Sequence, residues 1–323
     1  MPDPKSAPKS PIKPNINPAF HDDPGYYYIW TYESYYLGAA DGGGHADDTA
    51  IQTDIPFKLA EEVGAFLRFT LWRDSSGHFA FQPYKVNFIT AVNGGGRTSD
   101  ALYTNATDIT AFEQFQIAPV ATKGLFTVSI QTANKNFLTA VGAGGKMTDA
   151  IHSDATTAST WEAFTIKKAG DLGSGLQYFI IPAPGGLPIT AIGGGGLTQN
   201  TLGVYSVSGS APLDWARFTL IYLPNGAHGV KTSAGFFLTA VNGGGLAFGS
   251  PTSDNIHTNA TVASTWEQLK FIDRGDSTYS IQTFDGHYIG PHSTVTDAQG
   301  EYSTDISDIN LALKFWLVPA GFF

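Results

Sequence analysis

An all-β fold built from six copies of one unit is predicted by three features of the sequence. A motif running aromatic, aliphatic, Thr, Ala, Val into a glycine stretch recurs along almost the whole chain. Its copies are about 50 residues apart, and self-similarity at such a period outranks any local signal. Between copies lie short runs rich in β-branched and aromatic residues, punctuated by Gly, Asn, Asp and Ser. No stretch keeps a 3.6-residue period long enough for a secure helix.

The 323-residue chain begins "MPDPKSAPKSPIKPNINP", with prolines at 2, 4, 8, 11, 14 and 18. Such spacing forbids helix and ladder pairing, so residues 1–24 are expected to form an extended arm, available to a protein partner. The motif then opens at Tyr36 ("YLGAADGGG"), Phe88 ("FITAVNGGG"), Phe137 ("FLTAVGAGG"), Pro188 ("PITAIGGGG"), Phe237 ("FLTAVNGGG") and Tyr288 ("YIGPHS"). The intervals are 52, 49, 51, 49 and 51 residues. A strand-like run precedes the motif, as in "YYYIW" (26–30), "LFTVSIQT" (125–132) and "YSIQT" (279–283). A polar segment such as "DAIHSDA" (149–155) or "DNIHTNA" (254–260) follows it. Last comes a closing signature: "TAFEQFQI" (110–117), "STWEAFTI" (159–166), "LDWARFTL" (213–220) or "STWEQLKF" (264–271). That makes four strands per unit. Six such units can close as one six-bladed propeller, or as two three-unit barrels each capped by three hairpins. Both remove unpaired strand edges, and the period alone does not choose between them.

Composition narrows the function classes. Apolar residues make up 42% and charged residues only 14%, with 37 glycines, which suits short strands and tight turns. The net charge is -10 and the 18 Lys and Arg are spread thinly, so nucleic acid and anionic membrane surfaces are poor partners. There is no cysteine, hence no disulfide or thiolate chemistry. The N-terminus has no apolar signal region and no stretch reaches membrane-spanning length, which fits a cytoplasmic protein or one released by a non-classical route. The eight histidines contain no HExxH, and His287 and His292 alone are too little for a metal site. No G-x-S-x-G elbow or calcium loop is present, so no cofactor is expected.

The Phe-Leu-Thr-Ala strand with its glycine turn, followed about twenty residues later by Trp-Glu-x-Phe, resembles the fascin-like β-trefoil repeat. It is most similar to modules of that type that accompany bacterial carbohydrate-active enzymes. The resemblance covers about residues 25–320, fullest in units 2, 3 and 5 and least in unit 6, which lacks the glycine run and the Trp-Glu pair. It implies two tandem β-trefoils, repeats 1–3 in residues 25–170 and repeats 4–6 in residues 171–323. The seam then falls near "KKAGDLGSG" (167–175), which also reads as a linker.

In "FLTAV" the alternation places Leu138 and Ala140 on one face, and a small inner Ala lets three copies approach a shared axis. The glycines do not match a phosphate loop, because Gly145-Lys146 is followed by Met147 and Ala140 stands where the first Gly should be. Turning the chain is their default role, with a close-approach ligand surface as the alternative. The recurring aromatic of the closing signature (Phe66, Phe112, Trp161, Trp215, Trp266) reads as core. Truncating Trp161 to Ala is then expected to cost ~3–5 kcal/mol. Glu113, Glu162 and Glu267 follow it and read as local hydrogen-bond acceptors, being one per repeat rather than paired. The polar segments place Gln52 with Asp54, Tyr103 with Asn105, His152 with Asp154 and His257 with Asn259 at matching positions. An aromatic or imidazole beside a short amide or carboxylate suits sugar recognition. A turn is the plainer reading of the same residues. Asn93 and Asn242, heading two glycine runs, join the candidate ligand set. Asn105 and Asn259 also begin Asn-Ala-Thr sequons, where the third copy has Asp154.

The function expected is therefore non-catalytic, lectin-like carbohydrate binding through several shallow sites, with glycans as partners and multivalency compensating weak contacts. A fascin-like, actin-binding scaffold is an alternative, against which the acidic balance counts. The receptor-binding body of a secreted toxin or defence protein is a further one.

Overall fold

The computed structural model describes residues 19–23, 25–56, 64–84, 87–120, 126–205, 213–223, 225–247, 254–290 and 302–323. Residues 1–18 and 24 of the expected arm, and His292, lie outside the described residues; the arm's described end does enter a ladder, since His21–Asp22 pairs with Phe69–Arg73 and Phe20 is buried. Among the described residues the helical segments are 3-10 turns of three or four residues, and every longer element is a strand.

The first and last strands of units 1 to 3 pair in a closed ring of six. Tyr26–Thr31 pairs with Phe69–Arg73, that with His78–Pro83, and that in turn with Phe115–Pro119. Phe115–Pro119 pairs with Val128–Gln131, which meets Phe164–Ala169, and this last strand returns to Tyr26–Thr31. The two middle strands of each unit form a hairpin: Tyr35–Ala39 with Ile51–Pro56, Phe88–Ala91 with Leu102–Ala106, and Phe137–Ala140 with Ile151–Ala155. A six-stranded ring capped by three hairpins is a β-trefoil. Units 4 to 6 repeat it: Leu176–Ala183 pairs with Arg217–Tyr222 on one side and Lys314–Pro319 on the other. Its ring is completed through His228–Lys231, the bridge of His228 to Leu269, Lys270–Asp273 and Tyr279–Gln282. The chain is all-β, with two tandem trefoils. The propeller alternative is overturned, since a blade pairs its own four strands side by side, whereas here outer strands pair around a ring.

Alternation along each strand fills the two barrels. Leu37, Ile89 and Leu138 point inward with Ala39, Ala91 and Ala140, the alanines fully buried where three copies converge. Ala191 and Ala240 do the same in the second barrel. Phe69, Phe81, Phe115 and Phe164 complete the first core. The barrels meet along a seam rich in aromatic rings. Trp316 packs edge-to-face on Trp30, and the Lys167 ammonium lies between them, 3.6 Å from one ring centroid and 3.2 Å from the other. Burial pushes that ammonium well below its ordinary range.

Candidate functional site

The glycine runs and the polar segments form one device. In "AVNGGGR" the residues Val92–Gly94 make a 3-10 turn with Asn93 in the left-handed region, which Asn tolerates. Gly95 follows at φ 105, and a Cβ there would stand 2.3 Å from Thr132 Oγ1 of the next unit. Gly195 meets Thr232, Gly244 meets Thr283, and Gly144 meets Thr31, while Gly43 abuts Pro83. The next residue's N–H then donates into the following unit: Gly44 to Thr104 O (2.8 Å), Gly96 to Ser153 O (2.6 Å), Gly145 to Thr53 O (2.8 Å). Unit 1 grips unit 2, unit 2 grips unit 3, and unit 3 grips unit 1. Return bonds run from the Thr53, Thr104 and Ser153 N–H groups to Lys146, His45 and Arg97 carbonyls. Gly196 to Thr258 (2.6 Å) and Gly245 to Thr304 (2.7 Å) repeat the grip in the second trefoil.

This places the sequence-predicted residues. The polar segments are strands, not turns, because their central hydroxyl must reach the neighbouring unit's backbone. Thr53, Thr104, Ser153 and Thr258 are fully buried there. Asn105, Asp154 and Asn259 face solvent, while Gln52, Asp54, Tyr103, His152 and His257 are half-buried. His152 Nε2 lies 3.2 Å from Asp149. Burial lowers the affinity of His257 for a proton, with Asp254 opposing. Asn93 and Asn242 are exposed at the left-handed positions of their turns. Each pair sits on its own hairpin, so the fold brings no two pairs together across the pseudo-threefold axis.

The closing signature corrects one expectation. Its glutamates are local acceptors, as expected: Glu162 takes bonds from Thr139 Oγ1 (2.7 Å), Ser159 N (2.8 Å) and Ser159 Oγ (2.8 Å). Glu113 and Glu267 do the same with Thr90 and Thr110, and with Thr239 and Ser264. Burial pushes the Glu267 carboxyl up, but the bonds from Ser264 and Thr239 prevail and hold it below its ordinary range. The aromatic slot, however, is not core. Trp161 is 48% exposed, Trp266 44% and Phe112 43%; Phe66 and Trp215 are half-buried. In Ser-Thr-Trp-Glu the Ser caps the turn and the Glu folds back onto it, as in a capping box. The residue before the Glu then points outward, and core falls to Phe115, Phe164 and Phe218. The expected ~3–5 kcal/mol loss at Trp161 lapses with the burial it assumed. The S-x-x-E spacing was the overlooked signal.

Outward Trp266 stands beside the grip between units 5 and 6. A Cβ on Gly243 would lie 3.5 Å from Trp266 Cδ1 and 3.7 Å from Phe284 Cδ1. Phe284 is itself 53% exposed. Two open rings therefore flank a floor without a side chain. Beside them, His287 Nδ1 is 2.9 Å from Asp285, whose oxygens also accept from Thr283 Oγ1. Burial raises the Asp285 carboxyl, yet the Thr283 and His287 contacts win and lower it. Trp161 at the grip of unit 3 on unit 1 is accompanied in the sequence by exposed Tyr32, but Ala143 stands where Gly243 does. At the grip of unit 2 on unit 3 the floor Gly94 is covered by Asn134, which donates to Asn93 O. Among the described residues no cluster of three His, Cys, Asp or Glu could hold a metal ion, and no helix is long and apolar enough to cross a membrane.

No protein-family model matches the chain, and no curated protein matches it. Solved structures similar to it include a mosquitocidal holotoxin, at TM-score 0.36 and 12% identity over 91% of this chain and 34% of that one. The designed 3-fold symmetric protein ThreeFoil scores 0.37 at 10% identity, over 44% of this chain and 97% of its own. SeviL, solved bound to asialo-GM1 saccharide, scores 0.33 at 12% identity, over 45% and 98%. The chain thus spans about a third of the holotoxin's length. At these scores the similarities carry no argument about ligand or partner.

Proposed function

We propose that this chain is a non-catalytic carbohydrate-binding protein that holds glycans on the outward aromatics of its hairpin grips. The observation that carries the reading is the pair of open rings, Trp266 and Phe284, flanking the side-chain-free floor at Gly243. A pyranose ring stacks its C–H face on indole or phenyl while its hydroxyls find oriented polar groups at the rim, here Asp285, His287 and Asn242. The missing Cβ at buried Gly243 lets the two rings draw together, so that a sugar can stack on their exposed faces. The recurring carboxylates favour binding over hydrolysis, because Glu113, Glu162 and Glu267 are buried and committed to caps. Membership of the fascin-like group and a division near residues 170 and 171 belong to the same proposal. The motif letters and the two strand rings support them.

Binding to a panel of immobilised polysaccharides tests the reading. The double variant Trp266→Ala/Phe284→Ala is expected to retain its melting temperature and lose at least about tenfold in affinity, near 1.4 kcal/mol. Wild-type protein that binds no glycan on the panel, or a double variant that binds as well, refutes it.

A further inference from the structure

We propose that the seam between the two trefoils carries a second, separate site, shaped for one neutral polyhydroxylated ring such as a monosaccharide or cyclitol. A cavity of about 240 Å³ lies there, walled by Asp23, Arg73 and Phe79 of the first trefoil and by Gln177, Tyr178 and Gly321 of the second. It adjoins a wider cleft of about 460 Å³ that shares Asp23 and Arg73. Neither trefoil holds this space alone.

Three features point to its ligand. Tyr178 is 1% exposed, and its hydroxyl has no hydrogen-bond partner. The Tyr27 phenol is near enough to perturb it, but its own proton goes to Asp23, so it offers none to Tyr178. A buried polar group left unsatisfied needs an explanation, and an unfilled ligand position supplies one. Second, the Asp23 carboxylate is 8% exposed at residue level and already oriented, 3.2 Å from Arg73 Nε and accepting from Tyr27 Oη at 3.1 Å. It retains acceptor capacity, and Arg73 keeps N–H groups that, among the described residues, bond to nothing else. Third, Arg73 and the buried Lys168 ammonium offset Asp23, while Asp22 and Asp74 stand at the wider mouth. An anion is repelled there. A neutral ring bearing several hydroxyls can donate to Asp23, accept from Arg73 and partner Tyr178 together. Phe79 and Phe322, packed edge-to-face at 5.4 Å, supply an apolar wall for its C–H face. The cavity's volume suits one ring, which sets it apart from the open hairpin surface.

Titration calorimetry of the full chain with glucose, galactose, mannose and myo-inositol tests this. At least one is expected to bind with a stoichiometry of one, to persist in Trp266→Ala, and to weaken at least about tenfold in Tyr178→Phe. Tyr178→Phe without ligand should melt no lower than wild type, because it removes an unsatisfied hydroxyl. Gly321→Leu plugs the cavity from a position where a Cβ meets nothing within 4 Å, and should abolish binding without unfolding the protein. Binding by none of the four probes overturns the proposal, as does binding that survives Gly321→Leu. Binding lost in Trp266→Ala but kept in Tyr178→Phe would assign the sugar to the hairpin surface and equally overturn it.

Discussion

The two trefoils share a repeat and a closure but are filled differently. The first ring shuts along six register pairs between Phe164–Ala169 and Tyr26–Thr31. The second shuts likewise along six, between Lys314–Pro319 and Leu176–Ala183, while inside unit 5 the outer strands touch only through the bridge of His228 to Leu269. Into the first core goes Phe322, borrowed from the C-terminal turn that follows the second ring. The second core keeps a void of about 20 Å³ lined by Ile180, Val230, Leu269, Ile281 and Phe315, among others. The Thr–Glu linkage is missing from one unit of the first trefoil and from two of the second, where unit 4 has Ala216 in the Glu place. In unit 1 Gly38 faces Leu67, where a Cβ would stand 2.8 Å from Leu67 Cδ2, and unit 6 has Gly290 in the Thr place. The difference teaches that the cap hydrogen bonds are dispensable in a unit whose strands are held elsewhere. The grip of glycine backbone on the next unit recurs in both halves.

The sharpest way to break the comparison is to fill a grip. Gly95→Ala combines a forbidden φ with a Cβ 2.3 Å from Thr132 Oγ1, and should cost ~2–6 kcal/mol by chemical denaturation. Gly142→Ala, left-handed but with nothing within 4 Å, should cost only about 1 kcal/mol. Equal losses would show that the grip is not what Gly95 serves.

A second test separates the closing strands by pH. In the first ring Lys168 is fully buried, and burial pushes it down to about 8 with Asp23 and Asp171 opposing. The second ring has Lys314 instead, 44% exposed and 2.6 Å from Asp276. An unfolded lysine titrates near 10.4, so between pH ~8 and ~10 the unfolded chain holds more protons and stability rises with pH, by up to ~3 kcal/mol. Above pH ~10 the sign reverses, because burial raises Tyr28 to about 12 and unfolded tyrosines ionise first. Denaturation series should therefore peak near pH ~10, and Lys168→Met should lessen the rise, the rest of which the buried Lys167 supplies. A monotonic fall from pH 7 would contradict it.

The smallest effect concerns the void. Unit 3 carries Ile130 where unit 5 has Val230, both fully buried. Val230→Ile should fill part of the second core and raise stability by ~0.5–1 kcal/mol, seen as a higher melting temperature. A loss would mean that the space is not open to a methyl group.

Much of this was legible in the letters. The inner alanines followed from strand alternation, and the glutamate's local role followed from its single occurrence per repeat. The outward Trp was not read correctly, because recurrence at one repeat position looks the same for a core residue and a cap-exposed one. Only the folding back of Glu162 onto Ser159 turns Trp161 out. The candidate pairs lie on the second strand of their hairpins. Their central hydroxyl was missed as the grip, since its partner lies as far away as Lys146 lies from Thr53.

The sequence by itself determined the number of units, their four strands and the composition of each turn, because these depend on residues within a few positions of one another. Which units close on which, which aromatics stay wet and what space is left at the seam were decided only by the tertiary structure. Those depend on surfaces contributed by residues about a hundred positions apart, as when Gly145 donates to Thr53 and shuts the first trefoil. A period specifies how often a surface is made; only packing specifies what it meets.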